Sequence, residues 1–231
     1  MGWLSALPRF ALLLAIKGLS RLCFRFEVEW VGAPQPEPFH DARVGVLLNH
    51  TSLFEPILVA LFPLGWLWRV ARHGLMPGAD ATLDRPVAGR LFRSLVPQAV
   101  SVTRSRDRTW TDFTSRVAEE AVVLISPEGR MKRRTGFDKH GRPMTLRGGI
   151  VDVLERKSSG TILLVYSEGL HHVQAPGEGF PNLFVRVRAR LEEIDLADYK
   201  RAMGHGTPEF RARVLADLER RRDAHCPWPA G

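Results

Sequence analysis

His50 and Glu55 lie five positions apart in Asn49-His50-Thr51-Ser52-Leu53-Phe54-Glu55-Pro56. An imidazole beside a carboxylate is a pair that can remove a proton from an alcohol. The carboxylate fixes the tautomer at one ring nitrogen and raises the basicity of the other, which is the orienting half of a Ser-His-Asp triad without its serine. Spacing decides whether the two can meet. On a regular helix, five positions would turn them about 140° apart. Pro56 suits a first helical position and keeps the residue before it out of the α region, which leaves Glu55 in the turn, where contact is possible. The same letters admit a structural role: Ser52-x-x-Glu55 fits a helix capping box, with His50 a polar residue at a strand end.

Two further stations carry charge. Ile125-Ser126-Pro127-Glu128-Gly129-Arg130 closes an apolar run and is followed by Lys132, Arg133 and Arg134. Basic side chains beside a glycine turn can cradle a phosphate. The run Ala99 to Thr103 ends on Arg104, with Arg106 and Arg108 close behind. Three strand ends thus deliver one His-Glu pair and two sets of arginines.

The elements that must position these groups alternate along the chain. Period-two patterning predicts a strand at Phe26–Val31, and apolar runs predict strands at Arg43–Leu48, Trp66–Val70, Ala99–Thr103, Ala121–Ile125, Thr161–Tyr166 and Leu183–Arg188. Helices are expected at Pro56–Phe62, Pro86–Leu95, Thr109–Glu120, Leu146–Arg156 and Pro208–Arg222. Such alternation predicts the α/β class, a sheet covered by helices on both faces, with chemistry at the carboxyl ends of its strands. With no repeat or linker in view, the expected organisation is a segment 1–25 followed by one domain over 26–231 that ends in a basic helix.

Composition narrows the partners. In 231 residues, 45% are hydrophobic and 25% charged, enough for a sizeable core, and 33 Lys and Arg against 25 Asp and Glu give a net charge of +8. That excess favours an anionic partner: nucleic acid, a phosphorylated small molecule or an acidic membrane. The aromatic residues are not interleaved with the basic clusters as stacking platforms require, so nucleic acid is not expected. Cys23 and Cys226 are too few for a disulfide framework or a zinc site, which fits a reducing compartment. The run Arg220 to Arg222 meets the negative end of its helix dipole.

The amino-terminal stretch 3–24 is the most lipophilic, but its unbroken apolar run, Phe10 to Ile16, is far short of the roughly 20 residues needed to span a bilayer. No small-x-small cleavage site follows it. On a helix, Phe10, Leu13, Leu14, Leu19 and Leu22 make an apolar face, while Lys17, Arg21 and Arg25 are placed to reach phosphate head groups. This is the pattern of a helix lying in a membrane interface. Packing on its own domain is the alternative.

Taken in order, NHTSLFEP, VSVTR and ISPEGR resemble the marks of the glycerophospholipid acyltransferase family, the lysophosphatidic acid acyltransferase or PlsC-like group. The resemblance runs over roughly residues 25 to 190. It implies a PlsC-like fold and direct transfer of a fatty acyl group from an acyl-CoA or acyl-carrier-protein thioester to a lysolipid hydroxyl, in phospholipid biosynthesis. By that resemblance His50 is the general base and Glu55, in place of the usual Asp, orients it. Arg104, Glu128, Gly129, Arg130, Lys132 and Arg133 would bind the acceptor head group. No metal and no cofactor beyond the acyl-thioester co-substrate are implied, and backbone N–H groups near the turn would stabilise the oxyanion. The implied setting is the cytoplasmic face of a membrane, where acyl thioesters are made.

The chain departs from the family at several places: Ser126 stands where Phe is usual, Arg130 directly follows Gly129, Met131 takes the place of an Arg, and Gln98 that of a Gly. These mark a divergent branch, whose acceptor could be another lipid, such as an ornithine lipid or glycolipid. A non-catalytic basic module remains a reading from a different class. His171 and His172 follow the strand at Thr161–Tyr166 and could bind substrate or a metal.

Overall fold

A computed structural model describes residues 3–103, 105–175 and 178–226. At its centre is β2 (Ala42–Leu48), in which Ala42, Val44, Val46 and Leu48 are wholly buried. A strand apolar on both faces needs a sheet covered on two sides. That sheet is completed by β1 (Arg25–Trp30), β3 (Gly74–Ala79), β4 (Gln98–Val102), β5 (Val122–Ile125), β6 (Thr161–Ser167) and β7 (Arg186–Asp195), in the order β1-β7-β6-β2-β5-β3-β4. Only β6 and β7 run antiparallel; every other neighbouring pair is parallel. The expected α/β class, a mostly parallel sheet flanked by helices, is the one observed.

Alternation along β6 separates the two cores. Ile162, Leu164 and Tyr166 face one cluster with Phe113, Ile150, Leu154, Phe210 and Val214, while Leu163 and Val165 face the other with Leu13, Trp66, Leu67, Val70 and Leu95. The first face is covered from α5 (Arg108–Ser115), α6 (Gly149–Arg156), α7 (Leu196–Ala202) and α8 (Phe210–His225); the second from α1 (Leu7–Cys23), α2 (Leu64–His73) and α4 (Ala88–Leu95), against which the short α3 (Asp80–Leu83) packs.

α3 and α7 were not expected, the helix expected at Thr109–Glu120 ends at Ser115, that expected at Pro56–Phe62 is a 3₁₀ turn, and two strand expectations change the sheet. The predicted strand Trp66–Val70 lies inside α2: Trp66, Leu67, Val70 and Ala71 are its buried residues, a helical spacing that leaves Arg72 outward and turns the half-buried Arg69 to the carbonyls of Phe39, His40 and Ala42. The missing strand is β3, whose Gly74, Pro77 and Gly78 hide it from propensity. The predicted strand Leu183–Arg188 begins only at Arg186 and runs on to Asp195, with Val187, Ala189 and Leu191 buried in alternation.

α1 packs on α2 and on the 3₁₀ turn Glu55–Leu61. Lys17 does not reach outward as expected. Its Nζ donates to the carbonyls of Ala60 and Phe62 at 2.8 and 2.7 Å, and Arg21 Nε donates to Ala60 at 3.3 Å. The 3₁₀ turn ends there with carbonyls unpaired, and cations from α1 satisfy them. Leu4, Leu7, Leu14, Leu19 and Leu22 remain exposed on the far side. No helix among the described residues is long and apolar enough to cross a membrane.

Candidate active site

β2 and β5 are parallel neighbours, so the turns that leave their carboxyl ends emerge side by side. Asn49, first out of β2, adopts φ 66°, a left-handed conformation that Asn tolerates better than most side chains. Its side-chain amide donates to the Ser167 carbonyl at 2.9 Å, which fixes it to the end of β6. The reversal aims the N–H groups of Asn49 and His50 at Glu128, which accepts them at 3.0 and 2.7 Å. The His50 carbonyl in turn accepts the Lys132 N–H at 2.8 Å. The two motifs are thus sewn together through their backbones.

His50 Nδ1 lies 2.5 Å from Glu55 Oε2. Oε1 of the same carboxylate accepts the N–H of Thr51 at 2.9 Å and, more loosely, that of Ser52 at 3.4 Å. Both sequence readings of this octapeptide therefore hold in part: Glu55 caps the turn as a capping box would, and orients the imidazole as well. Burial pulls the His50 pKa down, and the carboxylates of Glu55 and Glu128 outweigh it, so the ring sits above the usual histidine value. Nε2 has no protein partner among the described residues.

His50 and Glu55 line an apolar cavity of about 580 Å³. Its polar mouth is formed by the strand ends, at Thr103, Ser105, Ser126 and Gly129; its depth lies among Leu13, Phe62, Trp66, Leu67 and Val70. Gly129 has φ 63°, a left-handed conformation that favours glycine, and a Cβ there would also crowd Arg147 Cδ at 3.0 Å. A second cleft, lined by Ser52, Leu53, Arg85, Met131, Arg133, Gln174 and Glu178, shares Leu53 with the cavity.

The other expected site residues fall into different places. Arg104 lies outside the described residues; its neighbour Arg106 is taken by Asp152, which also binds Arg211 and the Trp110 indole N–H. Glu128 is buried, with both oxygens turned to the backbone of the His50 turn rather than to the cavity. Arg130 is paired with the buried Asp138 at 2.5 Å. The side chains of Lys132 and Arg133 make no hydrogen bond or ion pair among the described residues, and neither does that of Arg85, which sequence reasoning did not single out. His171 Nε2 meets the Lys132 carbonyl at 2.8 Å and His172 Nε2 that of Arg186 at 2.6 Å. No group of three metal-ligating side chains occurs among the described residues.

The N–H groups of residues 49 to 52 were natural candidates to hold an oxyanion. They are already committed, the first two to Glu128 and the next two to Glu55. Anything that stabilises developing charge must come from elsewhere in the mouth.

No family model and no curated protein sequence matches the chain. Among solved structures, it is similar to the crystal structure of the 1-acyl-sn-glycerophosphate (LPA) acyltransferase PlsC from Thermotoga maritima, with a TM-score of 0.56 and 14% identity. The match covers 94% of this chain and 80% of that one. The two share a fold.

Proposed function

We propose that the protein is a membrane-surface O-acyltransferase that moves a fatty acyl group from an acyl-CoA or acyl-carrier-protein thioester to a hydroxyl of a lysophospholipid-like acceptor. One observation carries this reading: an imidazole oriented by a carboxylate at 2.5 Å lines the polar mouth of an apolar cavity of about 580 Å³. A pocket of that size and lining suits a lipid tail. The shared fold with an LPA acyltransferase supports it.

In this mechanism His50 Nε2 takes the proton of the acceptor hydroxyl as its oxygen attacks the thioester carbonyl. Glu55 stabilises the imidazolium that forms. The tetrahedral intermediate collapses, the C–S bond breaks, and the imidazolium proton goes to the leaving thiolate. The acyl chain lies in the cavity. Arg133, Lys132 and Arg85, whose charges are free among the described residues, are available to an anionic head group or to the donor's phosphates. The exposed leucines of α1 rest against a bilayer on its cytoplasmic face.

The test is acceptor-dependent release of free thiol from an acyl thioester, run with purified protein against a panel of lysolipids. His50→Ala is expected to remove about 10²–10⁴-fold of the rate while the protein stays folded. Turnover near wild type in that variant would refute the mechanism.

A further inference from the structure

Glu128 presents a problem that the motif alone does not answer. Its side chain is 1% exposed, where a charge is costly, yet the two N–H groups it accepts from the turn that carries His50 bond most strongly to the ionised form. Burial pushes its pKa up, against the pull of those two N–H groups and of Arg222. Arg222 belongs to the last turns of α8, far along the chain. Its Nη1 lies 3.8 Å from Glu128 Oε1 and donates to the Met144 carbonyl at 2.9 Å, its Nε pairs with the exposed Asp223 carboxylate at 2.9 Å, and its side chain is 15% exposed. Among the described residues it is the one cation within ion-pair distance of Glu128. The other ionisable groups around the pair are His50 from the turn, Glu219 and Asp223 from α8, Cys226 just past its end, and Lys132. Arg220 and Arg221 are turned instead to Asp217, and Arg221 also to Glu192.

We propose that Arg222 is a positioning residue: its charge keeps Glu128 ionised, and Glu128 thereby holds the backbone of the His50 turn in the reactive conformation. Its catalytic consequence rests on the acyl-transfer reading above. α8 thus acts on the active site through one ion pair and touches no substrate.

The experiment uses the full chain with Arg222→Met, Arg222→Lys, Glu128→Gln and the Arg222→Met/Glu128→Gln double variant. For each, kcat, KM and thermal unfolding are measured from mildly acidic to mildly alkaline pH. Arg222→Met is expected to lower kcat about tenfold at neutral pH, with KM little changed, and to regain activity as pH rises and Glu128 ionises without its partner. Its unfolding temperature moves the other way. A buried carboxylate whose folded pKa is raised further is tolerated when protonated and costs stability as pH climbs through that pKa, so the deficit against wild type grows with pH. Arg222→Lys should keep the wild-type profile, and on the Glu128→Gln background Arg222→Met should add neither effect. A loss of kcat that is the same at every pH, or that persists with Gln at position 128, would overturn the proposal. If wild type releases no thiol while the unfolding series behaves as expected, the ion-pair linkage stands and the acyl-transfer reading fails.

Discussion

His50 and Glu55 are joined at 2.5 Å by the carboxylate oxygen that does not cap the backbone, while the other oxygen holds Thr51. The imidazole therefore cannot be released without loosening the turn that carries it. Glu55 has one job in electrostatics and one in geometry.

Glu55→Gln separates those jobs, since an amide oxygen can still accept from the Thr51 N–H. Without the negative charge the His50 pKa falls, so the acid limb of the pH–rate profile moves to lower pH. The maximal rate drops at the same time, because the imidazolium loses its counter-charge. The check is kcat/KM across pH; a limb that stays in place or moves upward would contradict the assigned partner.

Gly45 lies on the cavity wall in the middle of β2, where an added Cβ would stand 3.0 Å from Leu124 Cδ2 and 3.6 Å from the Trp66 ring. Gly45→Val fills space that a long chain would occupy. Relative use of short over long acyl donors is expected to rise by about tenfold, with a stability loss of about 1–3 kcal/mol from the tighter packing. Competition between donors of two lengths, read by mass of the acylated product, decides it.

Arg85 and Arg133 face the same cleft without carboxylate partners among the described residues, whereas Glu178 there is already bound to Arg134 and to the Ala175 N–H. Replacing both arginines by Met should raise the KM for a phosphorylated substrate about tenfold, the worth of a charge-assisted bond or two. Titrating acceptor at saturating donor, then donor at saturating acceptor, shows which substrate carries that phosphate. No change in either KM would remove the cleft from the site.

Lys157 is 1% exposed, and its Nζ donates to the carbonyls of Glu119 and Ala121 at 2.8 and 2.6 Å as well as to that of Ala118. Lys157→Met strands those carbonyls in the interior. It should cost about 3 kcal/mol by chemical denaturation while the turnover of the folded fraction is unchanged.

The sheet and the His50 turn were readable because they are local: Val44–Leu48 is a continuous apolar run in β2, and His50 and Glu55 lie five positions apart, although Glu55 itself opens the 3₁₀ turn that Pro56 was expected to begin. α2 was misread because Trp66-Leu67-Trp68 shows no alternation by itself; only the buried set 66, 67, 70 and 71 reveals the helix. β3 hid behind Pro77, tolerated because β3 pairs with β5 only at Gly74 and Leu75, so that at Pro77 one side of the strand is unpaired. Glu128 was expected at the substrate only through the family resemblance of its Pro-Glu-Gly motif. Its actual partners lie 78 and 79 residues away, a separation across which sequence carries no pairing signal. Arg222 was legible only as a helix-end charge for the same reason.

α1 shows its Leu13 to the cavity and its Leu14 to the outside. Adjacent residues of one helix therefore belong to the chamber and to the exterior, and the partition between them is a single rod thick. A lipid tail in the chamber and a bilayer on the outer side would press on the same seventeen-residue element. On the acyl-transfer reading, docking at a surface and filling of the chamber would be mechanically coupled events, and because α1 packs on the 3₁₀ turn that opens with Glu55, the load would reach the His50–Glu55 pair as well.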